Sequence, residues 1–314
     1  MLVQHGQRTA RWASLILIAA TSVAMVEPAT ATYPGTNGRI AFAAYVPRLG
    51  HEQIFTIAPD GTDRTMLTHS KFADNINPAW SADGTQLTFE RDFARAADIF
   101  TIDADGTNVH RVTHFRYSSA PFFSPDGTKI LFAQEDPLTH RTGIWTTNVD
   151  GTGDPQLVFS DPHPSAVLAF PQYSPDGTKV TFTRYGRGGR SAIFIADADG
   201  SDVVRLTNWD LGAAAGSFRP DGSMLAFNSY SESILGQSGN IYTIRADGTA
   251  LVQLTHNDDA GTTNAFGPSW SPDGTQIGFA QAGDVYLMQP DGSDVVQVTS
   301  GPLADHNTDW GPHP

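Results

Sequence analysis

Pro268-Ser-Trp-Ser-Pro-Asp-Gly-Thr-Gln-Ile-Gly-Phe279 decides the fold, because close variants of it recur from one end of the chain to the other. PAWSADGTQLTF begins at Pro78, PFFSPDGTKILF at Pro121, PQYSPDGTKVTF at Pro171 and GSFRPDGSMLAF at Gly216. A further copy is split. TNGRIAF (Thr36 to Phe42) is the back half of the unit and TDWGPHP (Thr308 to Pro314) the front half, so the two ends of the chain complete each other.

Each copy reads as a β-hairpin. A strand ending in Trp80, Phe123, Tyr173, Phe218 or Trp270 runs into a turn where Pro presets φ and Gly supplies φ > 0. The next strand alternates, with Ile40/Phe42, Leu87/Phe89, Ile130/Phe132, Val180/Phe182, Leu225/Phe227 and Ile277/Phe279 on one face and mostly small residues between them. That is the pattern of a sheet packed on both sides. A third strand follows every hairpin: QIFTIA from Gln53, DIFTID from Asp98, GIWTTN from Gly143, AIFIAD from Ala192, NIYTIR from Asn240 and DVYLMQ from Asp284. Each meets a second turn, Asp60-Gly61, Asp105-Gly106, Asp150-Gly151, Asp199-Gly200, Asp247-Gly248 or Asp291-Gly292, and then a fourth strand such as RTMLT or VVRLT.

Repeated four-stranded units of about 40 to 50 residues with no helical period between them predict a β-propeller. A linear solenoid needs polar capping repeats at its ends, whereas here the C-terminal half-unit supplies the strand that the N-terminal unit lacks. The expected fold class is therefore all-β: a six-bladed β-propeller of four-stranded antiparallel blades, closed by the C-terminal strand completing blade 1. Blade 1 is placed at Arg39 to Thr68 plus Thr308 to Trp310, and the other blades at 78–113, 121–159, 171–207, 216–255 and 268–299.

Ahead of the repeats, Arg8 and Arg11 precede an apolar run from Trp12 to Val26, and Ala29-Thr30-Ala31 follows. This reads as a secretory signal peptide over residues 1–31, cut after Ala31, with residues 32–314 forming the propeller. The run is short and broken for a membrane span, and no later stretch reaches the ~18 apolar residues that a span requires. Without the leader the chain carries 17 basic against 32 acidic residues, a balance that excludes nucleic acid as a natural partner. There is no cysteine, so disulfides, thiolate metal sites and a cysteine nucleophile are excluded. The expected product is a secreted or periplasmic monomer without a transmembrane segment.

The run PxWSPDGTxIxF, then IYxxxxDG, then the RLT strand, resembles the propeller domain of TolB and its relatives. The resemblance covers essentially the whole chain after the leader, and it extends to the propeller half of prolyl oligopeptidases and dipeptidyl peptidases. The Gly-His and Trp-Asp signatures of WD-type blades are lacking. TolB itself carries an N-terminal α/β domain before its propeller, whereas here Tyr33 leads almost directly into blade 1. The resemblance implies a fold; a function needs a site.

Strand direction sorts the loops. Every Asp-Gly turn falls on one face, and the opposite face collects the variable connections, the usual seat of binding on a rigid scaffold. Asp74, Asn75 and Asn77 precede blade 2, Asp258, Asp259 and Asn264 precede blade 6, and Asp305, His306, Asn307 and Asp309 lead into the closing strand. Blades 6, 1 and 2 are neighbours in a closed ring, so these loops are expected to converge at the channel mouth. Their oxygen-rich side chains suit a hard cation, with Asp74 and Asp305 the expected ligands of a calcium ion; the plainer reading is a solvated acidic face. Arg187 and Arg190, with Arg184, form a basic spot in the blade 4 loop that suits an anionic group or acidic segment, or else a mobile solvent loop. Asp103-Ala-Asp105-Gly106 and Asp197-Ala-Asp199-Gly200 echo part of a calcium loop but lack its third ligand and closing Glu, and read as turns. His69, His114 and His256 each follow an LT dipeptide at the outer strands, and propeller symmetry spreads them round the rim, too far apart for one zinc ion.

There is no GxSxG elbow and no HExxH. The sequence points to a non-catalytic scaffold that recognises a protein or peptide at the cell envelope through its loop face. The alternative is an extracellular lyase or hydrolase acting on carbohydrate or a small metabolite, with His163, His306 and the loop aspartates at the channel.

Overall fold

The structure, a computed structural model, describes residues 33–314 apart from 94–95, 116, 137, 140, 164–165, 187–189, 234–235 and 258–263. The expected signal peptide lies outside the described residues, and so do Arg187, Asp258 and Asp259. Among the described residues no helix is long and apolar enough to cross a membrane.

Six four-stranded antiparallel sheets form the blades. From inner to outer strand, blade 1 is Asp305–Pro312, Asn37–Val46, His51–Ile57 and Thr65–Met66; blade 2 is Asp74–Trp80, Gln86–Asp92, Ala97–Asp103 and His110–Arg111. Blade 3 is Ser118–Phe123, Lys129–Glu135, Thr142–Asn148 and Gln156–Ser160; blade 4 is Val167–Tyr173, Lys179–Tyr185, Ser191–Asp197 and Val204–Arg205. Blade 5 is Ala213–Phe218, Met224–Ser233, Gly236–Arg245 and Val252–Gln253; blade 6 is Ala265–Trp270, Ile277–Gln281, Asp284–Met288 and Val296–Gln297. Each inner strand touches the inner strand of the next blade all the way round, including the closing strand with blades 6 and 2. The ring is thus closed by the C-terminal strand on blade 1, where Ile40 faces Trp310 and Ala44 faces Asp305.

The Pro-Asp-Gly turns have one chemistry. In blade 3, Asp126 Oδ1 accepts from the Ser124 hydroxyl, the Thr128 N–H and the Thr128 hydroxyl, while Gly127 takes φ 68°. The same bonds recur from Asp83, Asp176 and Asp273. The second turns use Asp and Thr or Ser alike: Asp105 Oδ1 accepts both the N–H and hydroxyl of Thr107, and Asp199 those of Ser201. Asp105 and Asp199 therefore work as turn caps, as the repeat implied.

The outer strands are short because one side chain finishes the work of a longer ladder. The threonine of each LT-type dipeptide accepts the backbone N–H at the start of the third strand: Thr68 from Ile54, Thr113 from Ile99, Thr207 from Ile193, Thr255 from Ile241 and Thr299 from Val285. The core lies between the blades. Ala41, Ala43 and Ile54 of blade 1 pack against Trp80, Leu87 and Phe89 of blade 2, and Ile40 and Phe42 pack on Val285 and Leu287 of blade 6.

Inner strands begin three or four residues before the prolines that were expected to open them. Each inner strand of blades 2 to 6 carries a register shift, at Ile76/Ala79, Ser119/Phe122, Ala169/Gln172, Ala214/Ser217 and Phe266/Ser269, and blade 1 shifts at Ala41/Ala43. These are β-bulges. At each of them one residue takes left-handed φ: Asn77 51°, Ala120 49°, Phe170 50°, Ala215 53°, Gly267 59° and Asn307 54°.

Candidate functional site at the channel mouth

The bulges build the site. Asn77, Ala120, Phe170, Ala215, Gly267 and Asn307 stand at equivalent positions, and all of them line the central channel around a narrow cavity of about 90 Å³. A left-handed residue between two extended ones redirects the strand, so the wall at this level is made by backbone and short side chains.

Tyr33 packs against the inner strand of blade 3. Its ring is buried, stacks on Phe122 at 6.4 Å, and its hydroxyl donates to the Phe123 carbonyl at 3.5 Å, beside the Asp-Gly turns. Burial raises the phenol pKa well above its ordinary value, and the charges of Asp309 and Asp83 push the same way.

Around the mouth runs a hydrogen-bonded belt. Asn307 Nδ2 donates to Asn77 Oδ1 at 2.6 Å, Asn77 Nδ2 donates to Glu90 Oε2 at 2.8 Å, and the Ala120 N–H donates to the same oxygen at 3.1 Å. The belt links blades 1, 2 and 3. Burial raises the Glu90 pKa despite the bonds from Asn77 and Ala120. On the opposite wall, Gln172 lines the channel and its Oε1 is buried with no hydrogen-bond partner among the described residues. An acceptor in that state suits a ligand N–H or O–H.

Asp309 sits deeper. It accepts from the Trp80 N–H at 2.7 Å and the Ser269 hydroxyl at 3.3 Å, and burial pushes its carboxyl up to about 6 against those bonds. Its remaining surface faces the narrow channel rather than bulk solvent.

The other expected site residues hold partners of their own. Asp74 Oδ1 accepts from the Glu52 N–H at 2.8 Å and lies 3.1 Å from His51 Nδ1. Asp305 is buried and spanned by Arg64, at 2.7 and 3.2 Å. Burial raises the Asp305 pKa, although Thr299 and Arg64 pull it down. His306 Nε2 meets Glu52 Oε1 at 3.0 Å; burial opposes its proton, but the hydrogen bond and charge of Glu52 prevail and raise its pKa. Asn75 lies between Gln53 and Arg91, and Asn264 accepts the Gly239 N–H. Blades 1 and 2 do converge, through Glu52, Asp74, His306 and the two channel asparagines. Among the described residues no group of three or more His, Asp or Glu is placed to hold a metal ion. In the blade 4 loop Arg190 pairs with exposed Asp210, and Arg184 with Asp161.

The packing of Tyr33 on blade 3 and the Gln172 acceptor were missed from sequence. Neither carries a local signal. The bulges had one in part: in four of the six positions the left-handed residue stands before a proline, which drives its predecessor out of the right-handed helical region.

A closed ring of six four-stranded blades around a polar channel defines the class as a β-propeller. The chain belongs to the TolB beta propeller domain family, which it matches over residues 142–313. Its fold is similar to that of TolB from Acinetobacter baumannii, with a TM-score of 0.73 at 22% identity over 90% of this chain and 69% of that one. At that identity the likeness speaks for the fold alone. By sequence it is 28% identical to an uncharacterised protein of Agrobacterium fabrum over 58% of this chain and 63% of the relative. It is also 31% identical to tricorn protease homolog 1 of Streptomyces coelicolor over 37% of this chain and 10% of that protein. The chain thus spans less than two thirds of the length of the curated relatives it matches.

Proposed function

We propose that this propeller is a non-catalytic binding scaffold, secreted or periplasmic, that takes a protein or peptide partner at the loop-face mouth of its channel. The observation that carries the reading is the narrow channel with its hydrogen-bonded rim. Bulged strands narrow it to about 90 Å³, and the Asn307–Asn77–Glu90 belt rims it. Such a space accepts a terminus or a side chain of a polypeptide and orients it by hydrogen bonds. The titratable groups at the mouth are engaged in structural pairs, His306 with Glu52 and Asp305 with Arg64, which favours recognition over proton transfer.

The test is affinity capture from envelope extracts with residues 32–314 and with the Asn77→Gly variant. Glycine keeps the left-handed backbone at this position while removing the amide that links Asn307 to Glu90. Loss of a specific captured protein in the variant is the expected result. Equal capture by both, or turnover of an oligosaccharide by the purified chain, overturns the reading.

A further inference from the structure

Among the described side chains, the exposed aromatic ones gather in one place. Tyr45, Phe72, Phe93, Phe115 and Tyr117 all lie on the variable-loop face of blades 1 to 3. Leu138 and Val167 extend the set through the blade 3 loop to the start of blade 4. The remaining exposed apolar residues, such as Val204, Val252 and Val296, are aliphatic and are spread along the outer strands of successive blades.

The strand pairing makes the set one arc. Tyr45 faces Glu52, whose N–H donates to Asp74 Oδ1 at 2.8 Å, two residues after Phe72. Asp74 in turn pairs with Asp92, next to Phe93. Asp92 also pairs with Ala97, which bridges to Tyr117, and the Tyr117 carbonyl accepts the Glu135 N–H at 3.1 Å where the loop to Leu138 begins. Cations are interleaved with the apolar tips. Lys71 precedes Phe72, Arg48 follows Tyr45 in the blade 1 turn, and Arg141 follows Leu138; all three are exposed. None of them has an ion-pair partner among the described residues. The carboxylates of the same loops are engaged: Asp74 by His51, Glu52 by His306, and Asp136 by the Leu138 and Thr139 N–H groups, while Asp92 and Glu135 hold partners as well.

We propose that this arc rests on an anionic lipid surface, with Phe72 and Leu138 entering the headgroup layer and Arg48, Lys71 and Arg141 meeting lipid phosphates. Phe72 and Leu138 are 85% and 90% exposed, so they have almost no protein to pack on. Such tips suit a soft surface that closes around each of them, whereas a folded partner must offer matching hollows. The chain's net charge of −14 opposes approach from afar, but salt screens it beyond about 8 Å, so the local cations decide. The inference uses none of the channel groups and does not rest on the proposed function. The arc occupies the blade 1 to 4 side of the loop face, so the ring rests tilted and its channel mouth stays within reach of a polypeptide at the same membrane.

The test uses residues 32–314, which hold all six blades and the closing strand, so that the apolar leader cannot itself partition. Co-sedimentation is measured with vesicles of phosphatidylcholine and with a two-to-one mixture of phosphatidylcholine and phosphatidylglycerol. Binding to the anionic vesicles, reduced by salt, is expected. Lys71→Gln and Arg141→Gln should each weaken it about fivefold. Phe72→Ser combined with Leu138→Ser should weaken it at least about tenfold while leaving the melting temperature unchanged, because both side chains are exposed. A tryptophan placed at the arc by Leu138→Trp should shift its emission to the blue on the vesicles, and one placed on the outer rim by Val296→Trp should not. No binding to anionic vesicles, equal binding to neutral ones, equal binding by the double serine variant, or equal blue shifts at both positions overturns the proposal. Capture of a soluble protein that the double serine variant loses, without vesicle binding by the native chain, overturns it in favour of a polypeptide surface. The Asn77→Gly variant should bind vesicles normally, so failure at the arc and failure at the channel mouth are read separately.

Discussion

The backbone N–H of Trp80 donates to Oδ2 of Asp309 at 2.7 Å, joining residues 229 positions apart in sequence. The bond is one of a series in which an inner-strand side chain accepts the N–H of the aromatic residue in the next blade: Ser217 from Trp270 at 3.5 Å, Ser269 from Trp310 at 2.9 Å, and Asp309 from Trp80. The closing strand is thus tied to both neighbours by side chain as well as by ladder.

Asp309 makes the first prediction, on pH. Its folded pKa of about 6 exceeds the ordinary 3.8, so the folded state binds the proton more tightly than the unfolded state does. The carboxyl therefore adds stability when protonated, and that contribution is lost as pH rises from about 4 to about 6. The lost contribution is about 1–3 kcal/mol, the lower part of the range applying where channel water screens the charge. Asp309→Asn retains an oxygen for the Trp80 N–H and removes the titration. Denaturant titrations between these pH values should show a falling stability in the native chain and a flatter curve in the variant; parallel curves would refute the assignment.

Acid acts oppositely through the turn aspartates, and this is the second prediction. At Asp126 and Asp176 partial burial pushes the pKa up, but the hydrogen bonds from Ser and Thr outweigh it and leave it lowered. At Asp105, Asp150 and Asp247 the bonds from threonine are the leading cause. Lowered carboxylates lend stability above their unfolded pKa and withdraw it as pH falls through the folded one. Replacing Asp126 with Asn should therefore shrink the loss of stability below about pH 4, measured by thermal melts; an unchanged acid limb would sink the idea.

Two glycines separate conformational cost from steric cost. Gly127 has φ 68° and open space where a β-carbon would stand, whereas at Gly200, φ 85°, that carbon would sit 1.8 Å from the Val158 carbonyl oxygen of the preceding blade. Gly127→Ala should cost about 1 kcal/mol, the ordinary penalty of left-handed backbone. Gly200→Ala adds displacement of a backbone and should cost more, about 2–4 kcal/mol. Equal losses in denaturant titrations would contradict the packing between blades 3 and 4.

The turns and strands were legible because their chemistry is local and repeated. Ser, Asp, Gly and Thr of each hairpin satisfy one another within a few positions, so the blade count and the closing strand follow from the residues in order. The site was less legible because its bonds are long-range. Asp305 reads as an open carboxylate until Arg64, 241 positions away, is seen across it, and Asp74 likewise until His51 arrives. Left-handed φ at Ala120, Phe170 and Ala215 has no residue-type signal at all, since alanine and phenylalanine rarely adopt it. Tyr33 stands outside the repeat, and only the folded ring brings it onto Phe122.

Calcium provides a direct check on the paired carboxylates. For an ion to share Asp74 and Asp305, Arg64 must leave Asp305, exchanging a two-point ion pair on a buried carboxylate for metal bonds. The expected outcome is that millimolar calcium shifts the melting temperature by less than about 1 °C. In Arg64→Ala the uncovered carboxylates gain whatever calcium affinity the site has. A saturable rise in the native chain, reversed by chelator, would show instead that the cation displaces the arginine.

Ring closure is tested at Trp310. Its side chain is 1% exposed, its indole Nε1 donates to the Gly38 carbonyl at 3.2 Å, and it packs with Ile40 and Phe42 of blade 1 on Val285 and Leu287, so it fills the space between blades 1 and 6. Trp310→Ala removes a large buried aromatic and should cost about 3–5 kcal/mol. Next to it, Gly311 leaves no room for a β-carbon, which would lie 2.3 Å from the Trp80 ring; Gly311→Ala forces two inner strands apart and should cost about 1–3 kcal/mol. Deleting Asn307–Pro314 removes both residues, the Asp309 bond to Trp80, and the inner edge of blade 1, whose backbone groups are then unpaired. Those losses together rival the whole stability of a domain, about 5–15 kcal/mol. The truncated chain should lack a cooperative unfolding transition, and its exposed strand should make it associate. A truncated protein that melts cooperatively within a few degrees of the intact one would mean that the C-terminal strand does not hold the ring shut.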